Sequence, residues 1–121
     1  MPPLAIALIS ISLSVAAQFL LKAGMSGATI QAALAQPLTL RSVALIVADK
    51  SVLAGFVLYA LGAVLWLGVL ARWDVSKAYP LVGLGFVATL AVGAILGETV
   101  TALRMAGVML IVVGVWIVSR T

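Results

Sequence analysis

Four polar side chains recur at every fourth position of the first apolar run, Leu4 to Gly24: Ser10, Ser14, Gln18 and Lys22. Residues four apart share one face of a helix and drift slowly around it. The four therefore make one inclined stripe that runs from hydroxyls through an amide to an amine. At about 1.5 Å per residue the stripe is roughly 18 Å long, more than half of a hydrocarbon layer about 30 Å thick. Turned to lipid, the Gln18 amide would stand unpaired at a cost of kilocalories. The stripe is expected to face other helices or a wet cavity. Its chemistry is recognition: hydroxyls and an amide suit a neutral polyhydroxyl group. Lys22, at about phosphate depth, suits an anion as a point charge. Plainer readings stand beside these. Ser10 and Ser14 can bond their own helix backbone, and Lys22 can snorkel to mark the membrane edge.

The elements that position the stripe follow from composition. The chain has 121 residues, 65% hydrophobic and 8% charged, which places it among integral membrane proteins. Four apolar runs are long enough to span, at about 4–24, 51–72, 77–97 and 101–119. They are continuous rather than alternating, which argues against a closed β-barrel. The expected fold is an all-α membrane protein: one domain over residues 1–121, a four-transmembrane-helix bundle, dimeric, with an extra short helix between spans one and two. Within 25–50, Thr29 to Ala35 suits a short helix stopped by Pro37. Thr39 to Ala48 is too short to span; it lies at the interface or lengthens span two. Asp49-Lys50-Ser51 reads as a cap and a new helix start.

The net charge of +4 comes from seven basic and three acidic residues spread singly along the chain. Without a basic cluster interleaved with aromatics, nucleic acid is a poor partner. Cysteine and histidine are absent, which removes disulfides, thiol chemistry and thiolate or imidazole metal sites. No nucleophile–base pair is present, so neither an enzyme nor a cofactor is expected. Ala33-Leu34-Ala35 has the small-x-small form of a cleavage site, but Met-Pro-Pro-Leu carries no basic side chain and the site lies far beyond the apolar run. A signal peptide is not expected.

Span two sets Gly55, Tyr59, Gly62, Trp66 and Trp73 on one face. Span three does the same with Tyr79, Gly83, Phe86, Leu90, Gly93 and Gly97. Such seams of small and aromatic residues suit helix packing; they also suit the wall of a substrate path, and both can hold at different depths. Trp66, Trp73 and Tyr79 fall near a membrane boundary, where aromatic belts form. The short turn from Arg72 to Lys77 makes spans two and three antiparallel neighbours. Pro80 falls in the first turn of span three, where its missing N–H does least harm. Glu98 and Arg104 flank the last connection and are placed to pair. Gly107 and Gly114 give span four a smooth strip for contact within the chain or between two chains.

By side of the membrane, Lys22, Arg41, Lys50 and Arg104 oppose Arg72, Lys77 and Arg120. Four against three selects an orientation weakly. Dual insertion with an antiparallel pair, and one orientation fixed by other cues, both stay open.

These residues resemble the four-helix, EamA-like members of the drug/metabolite transporter superfamily, which include the small multidrug resistance proteins. Within them the chain most resembles the small subunits proposed to flip undecaprenyl-phosphate-linked aminoarabinose. The likeness covers nearly the whole chain and is weakest over 25–50. It rests on Ser14-Val15-Ala16-Ala17-Gln18 with Lys22, Leu65-Trp66-Leu67, Ala78-Tyr79-Pro80-Leu81 with Phe86-Val87, Gly97-Glu98, Arg104, Gly107 and Ile111-Val112-Val113-Gly114. One departure matters. The multidrug members carry a glutamate eight residues before the lysine, and here that position is Ser14. No span interior holds an acid; Asp49, Asp74 and Glu98 all sit at span ends. This puts proton-coupled drug export in doubt. The flippase subunits also lack that glutamate and keep the Gln and Lys, so the resemblance implies a polyisoprenoid-phosphate sugar as cargo, at the bacterial inner membrane.

A buried cation site needs a negative partner, and the span interiors offer none. The expected substrate-binding residues are Ser10, Ser14, Gln18, Lys22, Tyr59, Trp66, Tyr79, Glu98 and Arg104. Gly83, Gly93, Gly97, Gly107 and Gly114 are the expected packing or dimer positions. Four spans are too few to enclose a broad polar path, so a homodimer, or a heterodimer with a sister subunit, is expected to supply two facing stripes. Rocking of helices around a site at the midplane would give alternating access, and a path open sideways would leave a prenyl tail in hydrocarbon. Two other functions compete: a small multidrug resistance-like exporter of cations or small polar metabolites, with Glu98 as proton carrier, and a non-transporting accessory subunit.

Overall fold

The computed structural model describes residues 1–121, and every regular element in it is helical. The order is α1 (Pro3–Met25), α2 (Ala28–Leu34), α3 (Leu40–Ala48), α4 (Lys50–Leu70), α5 (Val75–Ala78), a 3₁₀ segment (Tyr79–Gly83), α6 (Leu84–Ile95) and α7 (Ala102–Ser119). Four stretches are long and apolar enough to cross a membrane: Pro3–Met25, Lys50–Leu70, Val75–Ile95 and Ala102–Ser119.

Local chemistry sets the breaks. Between the first two spans there are two short helices, the expected one and α3, which the sequence left open as a separate piece or an extension of span two. Thr39 and Ser42 form a reciprocal capping box at the start of α3, which satisfies two otherwise unpaired groups. Asp49 is extended, and its carboxylate accepts from the backbone N–H groups of Ser51 and Val52 at 3.0 and 3.1 Å. Leu40–Ala48 is thus a separate helix, and one capping residue divides it from span two. In span three, Pro80 supplies no N–H, and the helix tightens into the 3₁₀ segment before resuming as α6. Such a change of pitch is a common answer to a missing rung.

α1 lies at the centre, with α4 on one side and α6 on the other; α7 packs on α6 and the 3₁₀ segment. The α1–α4 seam is the closest contact, and glycine makes it. A Cβ on Gly55 would lie 2.8 Å from the Leu21 side chain, and one on Gly62 would lie 3.2 Å from the Ser10 carbonyl oxygen. At the end of α1, a Cβ on Gly24 would meet Asp49 Oδ1 at 2.6 Å.

The core gathers at one end of the bundle. Ala7, Ile11, Val69, Ala78, Leu81 and Val115 are buried together, with Trp66, Trp73 and Leu84 half-buried against them. Arg72 Nη1 ties the same end by donating to the Met1 carbonyl at 2.9 Å. α6 still touches α1 at Gly85, where a Cβ would stand 3.2 Å from Ile11 and 3.3 Å from Val15. Beyond Gly85, toward Gly93, space opens between α1 and α6. Spans two and three, expected as antiparallel neighbours, meet mainly beside their turn. Farther along, both lean on α1 and a cavity separates them.

Candidate functional site

Two open cavities meet along the polar stripe of α1. The inner one, about 490 Å³, lies between α1, α4 and the third span. Ser10, Ser14 and Gln18 line it from α1, Tyr59 and Trp66 from α4, and Tyr79, Phe86 and Thr89 from span three. Most of this lining is apolar, with hydroxyls and aromatic faces set into it, and no charged residue is part of it. The outer cavity, about 610 Å³, lies between the last turns of α1 and α6 and the first turns of α7. It contains Lys22, Glu98 and Arg104, together with Gln18, Phe19, Phe86, Thr89 and Gly93. Gln18, Phe86 and Thr89 belong to both cavities. Charge is therefore confined to one end, and the amide of Gln18 stands where the charged part meets the hydroxyl-lined part.

The stripe is partly engaged already. Ser10 is 3% exposed, and its hydroxyl donates to the Gly62 carbonyl at 2.6 Å. This bond crosses the α1–α4 seam, so Ser10 holds two helices together. The Ser14 hydroxyl donates to the Ser10 carbonyl at 3.1 Å, along its own helix. Gln18 Nε2 donates to the Tyr59 hydroxyl, and Gln18 lines both cavities. Lys22 is exposed within the outer cavity.

Glu98 reaches the same cavity because of how α6 ends. Gly97 has φ +88°, a left-handed conformation that glycine adopts without penalty. The Gly97 N–H donates to the Ala94 carbonyl at 3.2 Å, and the Glu98 N–H donates to the Gly93 carbonyl at 2.9 Å. This pair of bonds is a Schellman motif, which folds the chain back over the last helical turn. The carboxylate of Glu98 lies over Gly93, where a Cβ would be 2.8 Å from Oε1. Glu98 and Arg104 were placed to pair by their spacing. In the structure they share the outer cavity without pairing, and Arg104 Nη1 donates to the Thr99 carbonyl.

All nine residues singled out as substrate-binding positions line one cavity or the other. The glycines divide. Gly83 packs within the chain, 2.8 Å from Ile111 at its would-be Cβ, and Gly93 makes room for Glu98. Gly97 was expected at a packing surface; nothing lies within 4 Å of its Cβ position, and its part is the turn. Gly107 and Gly114 likewise have no neighbour within 4 Å, and Val115 is the only buried residue of α7. Thr89 was missed, although it lines both cavities. Its hydroxyl donates to the Phe86 carbonyl at 2.9 Å. It is the lone hydroxyl between Pro80 and Gly97, and that isolation was the signal available.

Comparison with known proteins gives a consistent neighbourhood. The chain is 41% identical over 73 residues to a protein of Photorhabdus laumondii named a probable 4-amino-4-deoxy-L-arabinose-phosphoundecaprenol flippase subunit ArnF, covering 58% of each chain. It is 42% identical over 62 residues to a protein of Pseudomonas aeruginosa named a probable flippase subunit ArnE for the same lipid, covering 50% of this chain and 54% of that one. It is 33% identical over 72 residues to ArnF of Proteus mirabilis, covering 57% and 54%. The chain spans about half the length of the curated relatives it matches. No family model matches. No solved structure matches. The resemblance to the small flippase subunits read from the motifs holds over that shared half, and with four apolar helices the chain is a multi-pass protein of the inner membrane.

Proposed function

We propose that this chain is one subunit of a flippase that carries a polyisoprenoid-phosphate-linked sugar, of the undecaprenyl-phosphate aminoarabinose type, across the inner membrane. The observation that carries the reading is the position of Gln18, at the junction of an acid-free, hydroxyl- and aromatic-lined cavity with one that holds Lys22 and Arg104. The phosphate would rest against Lys22 and Arg104, which are charge-assisted donors. The sugar would move along Gln18, Ser14, Tyr59 and Thr89, and aromatic faces such as Trp66 and Tyr79 suit its apolar side. Both cavities are open clefts, and Leu67, Tyr79 and Phe86 are exposed on the flank. The prenyl tail would stay in hydrocarbon while the head group crosses. The relatives are named as subunits; a sister subunit seated on this flank would close the clefts and supply a second stripe. Exchange between access to the two sides would come from rocking about the packed end.

The test is translocation in liposomes. A fluorescently or enzymatically readable prenyl-phosphate sugar should cross when the chain is reconstituted with its sister subunit. Gln18→Ala and Lys22→Ala should abolish crossing while leaving insertion intact. Normal flipping by both variants would remove this site.

One observation favours a second reading. Glu98 is folded into the outer cavity as an unpaired carboxylate, which is the group an exporter of organic cations needs. That reading predicts binding of soluble cationic drugs that Glu98→Gln abolishes. Stabilisation by prenyl phosphates and not by such drugs decides for the flippase.

A further inference from the structure

The outer cavity combines charges of both signs. Lys22 and Arg104 face it as cations and Glu98 as an acid, yet the acid pairs with neither of them. Its position is not left to side-chain chance. The left-handed Gly97 and the two Schellman bonds fix the backbone of Glu98, and Gly93 removes the one side chain that would push the carboxylate away. Glu98 is exposed within this open cleft, so the carboxylate is within reach of a bound head group. Its natural complement is a cation, and neither Lys22 nor Arg104 is paired with it. Two cations lining one cavity, Lys22 from α1 and Arg104 from α7, suit a single anionic phosphodiester.

We infer that Glu98 is a specificity-determining residue that selects an amine on the cargo head group, so that the outer cavity takes a zwitterion: phosphate at Lys22 and Arg104, ammonium at Glu98. The inference rests on the flippase reading above and adds which end of the head group meets which wall. A neutral sugar phosphate would satisfy the cations and leave the carboxylate without a partner on the cargo. Loss of one charged contact of this kind weakens binding about tenfold or more.

The experiment compares two matched lipids, farnesyl phosphate carrying a 4-amino-4-deoxy pentose and farnesyl phosphate carrying the parent pentose. Affinity for the full chain in nanodiscs is measured with wild type, Glu98→Gln and Gly93→Ala. Wild type should bind the amino lipid at least about tenfold more tightly. In Glu98→Gln the ratio should fall to about one. Gly93→Ala keeps the charge but displaces the carboxylate, and should lower the ratio as well; it decides the matter if Glu98→Gln does not fold. A ratio near one in wild type, or a preference that survives Glu98→Gln, overturns the inference while the flippase reading stands on the binding of both lipids. Binding of neither lipid to wild type overturns both.

Discussion

The Gln18 side chain donates to the Tyr59 hydroxyl, and this bond joins α1 to α4 where the charged and uncharged cavities meet. The pair separates two roles that Gln18 can play. If the amide serves cargo, Gln18→Ala should abolish translocation, whereas Tyr59→Phe should lower it only severalfold because the amide remains. Equal loss in both variants, measured by flipping in liposomes, would mean that the bond itself is what matters. Tyr59→Phe should cost about 0.5–1.5 kcal/mol of stability, the net scale of one hydrogen bond, read as a lower melting temperature in detergent.

Lys22 is expected to act through charge. Lys22→Ala should abolish translocation of a lipid phosphate, and Lys22→Arg should retain much of it, since either cation can meet a phosphate. Normal transport by Lys22→Ala would reduce Lys22 to a marker of the membrane edge.

Ser10 and Gly62 share the tight part of the α1–α4 seam, with the Ser10 hydroxyl on the Gly62 carbonyl at 2.6 Å. Ser10→Ala should lower stability by about 1 kcal/mol. Gly62→Ala places a methyl 3.2 Å from the Ser10 carbonyl and 3.3 Å from Ser14 Oγ, and should destabilise by about 1–3 kcal/mol as an overpacked contact. Thermal unfolding in detergent reads both. A fall in cargo affinity on Ser10→Ala with no change in melting would instead assign that hydroxyl to the ligand.

Gly97→Ala must bear a side chain at φ +88°, which costs about 1 kcal/mol or more. Gly97→Asn should be milder, because asparagine tolerates this conformation. The order of melting temperatures, glycine above asparagine above alanine, checks the assignment of Gly97 to the turn.

Gly107 and Gly114 stand in open space on α7. Gly107→Leu and Gly114→Leu should leave the melting of the isolated chain within about 0.5 kcal/mol of wild type. If α7 is where a second subunit sits, the same variants should abolish cross-linking between subunits; unchanged cross-linking would move the interface elsewhere.

The four long helices were legible because hydrophobic length is a property of the sequence alone, and the period-four stripe fixed which face of α1 would meet a hollow. Asp49 was legible as a cap, yet whether residues 39–48 joined span two depended on the conformation of that one residue. The reach of Glu98 was not legible, since it follows from a left-handed bend at Gly97 and from empty space over Gly93, neither of which has a period. Thr89 escaped for a related reason: a lone hydroxyl on an apolar helix looks the same whether it bonds its own backbone, as it does here to Phe86, or also borders a cavity. The separation of spans two and three was hidden because a short turn fixes neighbours only at the turn.

The packed end of the bundle, around Ile11, Val69 and Leu81, makes the molecule a pair of tweezers whose tips are the ends of α1 and α6. Tips yield to a wider object while the joint stays shut. On the proposed function, selection by girth would be forgiving, and the charges at the tips, Lys22, Arg104 and Glu98, would do the discriminating.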